Sequence, residues 1–283
     1  MRTEPAGDLL SMRPMRADDA PRAMDLVRMA GWNQTEADWR MMLAAGEGYG
    51  IEDDHGRLLA SSMVLPYAPG IGWIGMVLVD EATRRRGLAT RLLRNAIGRI
   101  EWMGLVPTLD ATPAGREVYL SLGFRDLERI DRWRGMGRLS TSVQANGAVA
   151  TDDDAANAGV AADTENFGAS RRWLLADLRS RPGALCLAMP SGGWLWSRAG
   201  RTATQIGPVL ASSPYDAIVL CAAALDRIDG PVLLDIPQRE TALAAFLEAR
   251  GFSIERSVTR MALGNSPSTL GGSTRVIAGP ELG

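Results

Sequence analysis

The feature that most constrains the fold of this chain is an internal repeat. Residues 119–124 and 246–252 each end in a glycine-phenylalanine corner, and the two glycines are 128 residues apart. A Leu-Glu-Arg or Ile-Glu-Arg segment follows each corner shortly afterwards. With 283 residues, the chain has the length of two ordinary domains. The repeat therefore predicts two units of similar topology, one in each half.

The most informative local pattern lies at residues 77–90, where an apolar run breaks into three arginines and a glycine and then enters a helix-like segment. The first N–H groups of a helix lack partners within the helix, and the helix dipole adds partial positive charge, so a phosphate fits there. The arginines add full charge, and a glycine lets the backbone approach a ligand. The pattern predicts a diphosphate site at the start of this helix. A solvated basic turn before an ordinary helix is the alternative.

A second pattern follows at residues 106–124, which read as a short strand and then a short helix. Gly123 suits the C-terminal cap of that helix. Neither a Walker loop, Gly-x-x-x-x-Gly-Lys-Ser/Thr, nor the three spaced glycines of a Rossmann turn is present at the arginine loop. The nucleotide-binding loops with those signatures are therefore excluded there.

Together, the two segments resemble the GNAT acetyltransferase superfamily. Its acyl-CoA loop, Arg/Gln-x-x-Gly-x-Gly/Ala, is matched by Arg84, Gly87 and Ala89, and its tyrosine upstream of Gly-Phe by Tyr119, with Thr112 where the family often has asparagine. The resemblance implies an α/β (α+β) GNAT fold. Its mixed, mostly antiparallel central sheet would be flanked by helices, and the plan would occur twice in tandem.

The resemblance also implies the cofactor and its site. Acetyl-CoA (coenzyme A) would be bound, and Tyr119 would protonate the leaving thiolate. Strand 76–79 would splay from its neighbour, so that a backbone N–H group of Leu78 or Val79 could hold the thioester carbonyl oxygen. The predicted cofactor-binding residues are Val77, Leu78, Val79, Arg84, Arg85, Arg86, Gly87, Leu88, Ala89, Thr90, Thr112, Arg116 and Tyr119.

The acceptor pocket is predicted from two helical segments, residues 18–29 and 35–44, with Thr35 or Asn33 as an N-cap. In GNAT folds the loop between the first two helices forms one wall of this pocket. The predicted substrate-binding residues are accordingly Trp32, Asn33, Gln34 and Asp110. A tryptophan between two helices equally fits a core position. Asp110 and Glu81 are the candidate bases, and either also fits a structural carboxylate.

The resemblance and the repeat together predict the domain organisation: a catalytic GNAT domain at residues 1–138, a linker at 139–162, a degenerate GNAT-like domain at 163–264 and a loose C-terminal tail at 265–283, with one added strand near 274–278. Shifting the arginine loop by the repeat length lands on residues 212–217, which contain no arginine. There, Asp216 would place a carboxylate where a phosphate would lie, and Leu247 replaces Tyr119. The second half is therefore predicted to lack a CoA site.

Composition limits the other classes of function. A net charge of −2 gives no general attraction to nucleic acid or to anionic membranes, so neither is predicted as a partner. Cys186 and Cys221 lie in apolar runs and are predicted to be free thiols, which suits a cytoplasmic protein. The only histidine, His55, lies in a turn-like segment, which disfavours a metal site and histidine-based catalysis.

The sequence therefore predicts an N-acetyltransferase that moves the acetyl group of acetyl-CoA to the amine of a small molecule or peptide, by direct attack in a ternary complex. The alternative is an acyl-CoA-binding sensor, or a partner-binding module, without turnover. Either a monomer or a homodimer fits the sequence.

Overall fold

The computed structural model describes residues 10–138, 148–267 and 269–283. The strands of the first half are β1 Ser11–Pro14, β2 Glu47–Glu52, β3 Leu58–Tyr67, β4 Ile71–Val79, β5 Val106–Ala111 and β6 Arg125–Met136. Its helices are α1 Ala20–Met29, α2 Glu36–Ala45, α3 Leu88–Trp102 and α4 Pro113–Ser121, with 3-10 turns at Ala17–Asp19 and Glu81–Thr83.

The second half repeats this order. Its strands are β7 Val149–Ala150, β8 Cys186–Met189, β9 Gly193–Arg198, β10 Thr204–Ala211, β11 Pro231–Pro237, β12 Ser253–Ala262 and β13 Thr274–Val276. Its helices are α5 Asp153–Phe167, α6 Arg172–Ser180, α7 Pro214–Leu225 and α8 Thr241–Ala249. The predicted fold class is confirmed: the described strands form one sheet, flanked by helices, in which the pairings are antiparallel except for β4 with β5 and β10 with β11.

The two halves exchange their strands at the centre of this sheet. The order is β1-β2-β3-β4-β5-β12-β6-β11-β10-β9-β8-β7, so β12 of the second half lies between β5 and β6 of the first. In return, β6 pairs with β11 over residues 130–136. Because each half supplies a strand to the other, the repeated units share one continuous sheet.

The site-forming feature of the first half is the divergence of β4 from β5. The two parallel strands pair only from Ile71 to Ile74 on β4 and from Val106 to Leu109 on β5. Beyond that point β4 contains a bulge: the register against β3 shifts between Ser61 and Met63, and Met76 has a φ of 52°. The predicted splay at residues 76–79 is present, and it opens a cleft in the sheet.

In the second half, the C-terminal segment fills the equivalent cleft. β10 and β11 pair only at residues 204–206 and 232–234, and β13 then joins β10, with Val209 opposite Val276. The N–H of Ile277 donates to the carbonyl of Asp235 on β11, with 3.0 Å between nitrogen and oxygen. At the start of α7, the side chain of Ser213 caps the helix by accepting from the N–H of Asp216. The opening that would hold a pantetheine arm is thus occupied by the protein's own strand.

Two expectations about the connecting segments need correction. The residues after 264 are not a loose tail, because Val276, Ile277, Ala278 and Leu282 are fully or almost fully buried. The added strand expected near 274–278 is present as β13. Part of the predicted linker is helical, since Asp152 caps α5 and this helix begins at Asp153. Residues 139–147 of that linker lie outside the described residues.

Candidate functional site

The start of α3 has the geometry of an anion site. Gly87 is the N-cap with φ of 79°, a left-handed conformation that glycine adopts without strain, and no side chain caps the helix. Arg85 also has a positive φ, 60°. A Cβ added at Gly87 would meet no atom within 4 Å, so the space in front of the helix is open. The first amides of α3 are therefore left for a ligand.

The three arginines of this loop differ in their surroundings. Arg84 and Arg85 line the cleft beside the helix, whereas Arg86 is exposed and does not line it. Arg84 forms a surface ion pair with Glu81 at 3.1 Å. Across the described ranges, neither Arg85 nor Arg86 forms an ion pair. Arg85 is therefore the cation best placed for a bound diphosphate.

A groove of about 500 Å³ leads from this loop into the splay between β4 and β5. The structure brings most of the predicted cofactor residues together along its walls: Val77, Leu78, Val79, Arg84, Arg85, Gly87, Leu88, Ala89, Thr90, Thr112 and Tyr119. Arg116 does not line it, because its guanidinium pairs with Asp126 at 2.5 Å on the surface. Beyond the arginines the lining of the groove is largely apolar, which fits a pantetheine arm.

The hydrogen-bond pattern of β4 distinguishes the two predicted backbone donors. The N–H of Asp80 donates to the carbonyl of Leu59 on β3 at 2.8 Å. Backbone amides alternate in direction along a strand, so Leu78 also directs its N–H towards β3, whereas Val79 directs it towards the open side. Val77, inside the bulge, lines the groove as well. This pattern favours Val79 over Leu78 as a donor to a carbonyl oxygen in the groove.

Tyr119 lies at the inner end of the groove, on α4. Its residue surface is only 8% exposed, and its ring packs against Phe124 with 5.8 Å between centroids. Burial raises the pKa of the phenol to about 12. In the described part of the chain, its hydroxyl forms no hydrogen bond. Tyr119 is therefore a protonated phenol with its donor unused.

A smaller chamber of about 60 Å³ adjoins the groove at Tyr119. Trp32, Val77, Thr112 and Tyr119 line both cavities, which makes this junction the place where two ligands would meet. Gln34 and Asp110, both predicted substrate contacts, also line the chamber. The hydroxyl of Thr112 caps α4 by accepting from the N–H of Gly115 at 3.2 Å. The predicted acceptor wall and the predicted cofactor cleft thus share one boundary.

Other predicted site residues have different roles in the structure. Asn33 is buried and does not line the chamber, because its side-chain amide bonds the loop before β10 at Thr202 and Ala203. The carboxylate of Asp110 is held by Arg260 through two bonds of 2.8 and 2.9 Å. Burial raises the pKa of Asp110, and the opposing charge of Arg260 limits the rise. Glu81 lies outside both cavities.

The cysteines and the histidine lie where the sequence analysis expected them. Cys186 and Cys221 are free thiols, half-buried and buried, and burial raises their pKa values to about 11 and about 12. His55 is exposed in the turn after β2. In the described ranges, every helix is too short or too polar to cross a membrane.

The second half contributes residues to the chamber that sequence reasoning missed. They are Arg256 and Val258 on β12, and Pro280 and Glu281 near the C-terminus. Since β12 lies beside β5 in the sheet, its side chains reach the first half's cleft. The glycine-phenylalanine repeat matched the segment 254–256 to the segment 127–129, but it carried no signal for a strand exchange.

Comparisons with known proteins agree with this architecture. A family model described as the acetyltransferase (GNAT) family matches residues 13–124, and one described as an acetyltransferase (GNAT) domain matches residues 160–273. The uncharacterized N-acetyltransferase YitH of Bacillus subtilis is 24% identical over 234 residues, which cover 80% of this chain and 82% of YitH.

Solved structures are similar over nearly the whole chain. A candidate acetyltransferase from Pyrococcus horikoshii aligns with a TM-score of 0.82 and 20% identity, over 100% of this chain and 99% of its own. A tandem GNAT protein from the clavulanic acid biosynthesis pathway aligns with a TM-score of 0.66 and 14% identity, over 92% of this chain and 99% of its own. At these identities, the likeness establishes the fold.

Proposed function

Because the chain belongs to the GNAT acetyltransferase family, with one family domain in each half, we propose that it transfers the acetyl group of acetyl-CoA to an amine in the first half's cleft. The main support for this proposal is a continuous groove from the uncapped start of α3 to Tyr119. The family as a whole comprises acetyl-CoA-dependent acyltransferases. The proposal adds which residues of this chain would carry out the transfer.

The residues present fit the coenzyme. The amides at the start of α3, with Arg84 and Arg85, would hold the diphosphate, and the walls between β4 and β5 would hold the pantetheine arm. When bound, the coenzyme supplies an acetyl thioester. The N–H of Val79 faces the groove and would donate to the thioester carbonyl oxygen as negative charge develops there.

Tyr119 acts as the general acid in this proposal. Its Oη gives a proton to the sulfur as the carbon–sulfur bond breaks and the amine nitrogen bonds to the acetyl carbon. The proton lost by the amine restores the phenol through water, so the step is balanced without a covalent enzyme intermediate. Burial raises the pKa of the Tyr119 phenol, and it would also raise the pKa of the coenzyme thiol beside it. The pKa values of the proton donor and of the leaving group therefore stay comparable. An unused donor at the junction of two cavities favours turnover over a sensor role.

Calorimetric titration with acetyl-CoA tests the groove. We expect Arg85→Glu to weaken binding by about tenfold or more, because it replaces a charge-assisted contact with repulsion. The matched control is Arg94→Glu, which makes the same change on an exposed face of α3 outside the groove. Equal affinities for the two variants would contradict the proposed diphosphate site.

Thiol release from acetyl-CoA in the presence of a panel of primary amines tests the transfer itself. Acetylated product, identified by mass spectrometry, is expected for at least one amine. Binding of acetyl-CoA with no acetylated product from any amine would refute the transferase assignment.

A further inference from the structure

The chamber beside Tyr119 accepts only a small part of an acceptor molecule. Its volume is about 60 Å³, against about 500 Å³ for the coenzyme groove. A cavity of that size holds a few water molecules or a compact group of a few heavy atoms. Any polar groups that recognise the acceptor must therefore lie within a few atoms of the nitrogen that reacts near Tyr119.

The three charged groups that line the chamber differ in whether they have an ion-pair partner. Both of its carboxylates already have buried partners: Asp110 is held by Arg260, and Glu281 by Arg198 at 2.5 Å. The chamber's arginine, Arg256, forms no ion pair within the described residues, and its Nε is buried without a hydrogen-bond partner. A buried donor on a cation is costly when it has no acceptor.

The surroundings of Arg256 add to this cost. Burial lowers the pKa of its guanidinium and the nearby charge of Arg132 lowers it further, while the charges of Asp235, Glu255 and Glu281 offset part of this shift. The guanidinium lies over the ring of Trp32, 5.7 Å from its centroid, and Trp32 lines the same chamber. An anion bound at Arg256 would offset both the burial of the guanidinium and its repulsion by Arg132.

A second unpaired group faces the same space. Gln34 is only 4% exposed, and its Oε1 has no hydrogen-bond partner. The side-chain amide of a glutamine accepts from an N–H group. The chamber therefore offers a cation for an anionic group and a neutral acceptor for an amine on the walls of one small cavity.

On the basis of the transferase activity proposed above, we infer that the acceptor is an amino acid or a close analogue, whose carboxylate pairs with Arg256 while its amine lies between Gln34 and Tyr119. The second half thus selects the substrate of the first half's active site. A polyamine would place a second cation beside an unpaired arginine, which is unfavourable. A carboxylate matches one arginine in charge and size, whereas a phosphate would carry a larger charge into a chamber that lacks a second free cation among the described residues.

The test compares amino acids with the amines formed by removing their carboxylates, for example alanine with ethylamine and serine with ethanolamine, across side chains of several sizes. We measure kcat/KM for acetylation by the full chain. In parallel, we measure the affinity of each compound for the protein saturated with coenzyme A by calorimetry. We expect the amino acids to be favoured by about tenfold or more in both measurements, the usual loss when a charge-assisted bond is removed.

Two variants assign the preference to one residue. Arg256→Gln should bring the ratio for each pair close to one while leaving acetyl-CoA affinity unchanged, and Arg256→Lys should retain part of the ratio. The control is Arg134→Gln, because Arg134 does not line the chamber: it lies in a neighbouring pocket that Arg256 also borders, and it pairs with Glu255 on the surface. The control should keep the wild-type ratio.

Each outcome decides between the proposals. Equal or better use of the decarboxylated amines, or a preference that survives in Arg256→Gln, overturns the inference and leaves the transferase assignment standing. Selective, Arg256-dependent binding of amino acids without acetylation of any compound supports an amino-acid site at Arg256 but overturns the transferase assignment and, with it, the role of the amino acid as acceptor. If the protein neither binds nor acetylates any of these compounds, both proposals are overturned. A preference for 1-aminoethylphosphonate over alanine overturns the choice of a carboxylate.

Discussion

At the scale of single residues, the candidate site depends on groups whose usual partners are missing. The phenol of Tyr119 has no hydrogen-bond partner in the described structure, and the helix that begins at Leu88 has no side-chain cap. Thr35, Thr112, Asp152 and Ser213 each cap a helix, whereas α1, α6 and α8 lack a side-chain cap as α3 does. The start of α3 is distinguished by the groove and the arginines beside it, which is why a ligand is expected there.

Replacing Tyr119 with phenylalanine removes the proposed proton donor and little volume. We expect kcat for any amine acetylated to fall by about 10²- to 10⁴-fold, the usual contribution of a general acid, with acetyl-CoA affinity nearly unchanged. Steady-state kinetics and calorimetry provide the two measurements. Tyr215→Phe, on the exposed surface of α7, is the control, and a variant of Tyr119 as active as this control would rule out the acid role.

Gly87 and Gly98 form a matched pair for testing the loop conformation. Gly87→Ala places a side chain at φ of 79° and should cost about 1 kcal/mol or more, with weaker acetyl-CoA binding. Gly98→Ala lies within the same helix, where an added Cβ meets no atom within 4 Å, and should stabilise by about 0.5–1 kcal/mol. Chemical denaturation and calorimetry measure both changes. If alanine were tolerated equally at the two positions, the strained turn would not be needed for the site.

At the scale of elements, the sequence pattern predicted the helices, because their positions depend mainly on residues close together in the chain. The apolar spacing from Leu88 to Ile100 and the cap at Thr35 placed α3 and α2 within a few residues of their observed ends. The repeat correctly paired α4 with α8 and β6 with β12 in chain order. Strand exchange could not be predicted, because a strand's neighbour depends on contacts distant in sequence.

The C-terminal segment shows the same limit. Its glycine, serine and proline content is typical of a loose tail, yet the hydroxyl of Tyr67 donates to the carbonyl of Leu282, and Arg171 donates to the carbonyl of Gly283, each at 2.7 Å. The burial of a few apolar side chains between the two halves fixes this segment, although its composition is typical of a loose tail. The same long-range packing explains why Arg256 and Glu281 were missed as chamber residues.

Leu282 provides the test of this packing. Leu282→Ala should lower the free energy of unfolding by about 2–5 kcal/mol, because its side chain is fully buried. Leu127→Ala, at a half-exposed leucine on β6, should change it by about 0.5 kcal/mol or less. Urea denaturation followed by tryptophan fluorescence measures both. If the C-terminal segment were a loose tail, both variants would change the free energy of unfolding only slightly.

At the scale of the whole molecule, a buried ionic network joins the two halves. Asp38 of α2 pairs with Arg181 at 2.6 Å and with Arg198 at 3.2 Å, both from the second half. Arg198 in turn pairs with Glu281 near the C-terminus. The network therefore connects an acceptor-side helix, the second half and the C-terminal segment.

This network predicts a pH dependence of stability. Burial acts to raise the pKa of Asp38, but Arg198 and Arg181 outweigh it and hold the pKa below its ordinary value of 3.8. Stability from Asp38 is therefore present above about pH 4 and is lost as pH falls through the lowered pKa. We expect Asp38→Asn to cost about 3 kcal/mol or more at pH 7, with the difference from wild type shrinking at strongly acidic pH.

Denaturation curves at pH 7 and at pH 3 or below measure this difference. The control is Asp25→Asn, since Asp25 forms only an exposed pair with Arg28 and should contribute about 0.5 kcal/mol or less. A penalty for Asp38→Asn that stays constant down to the lowest pH at which the protein is folded would contradict the assignment.

The exchanged strands have a consequence for biosynthesis. A ribosome releases β5 and β6 long before it releases β12, the strand that separates them in the finished sheet. Until then the nascent first half presents bare sheet edges, which invite association with other chains. The sheet of the first half is consequently completed only after β12 has been translated, and until then its open edges favour aggregation.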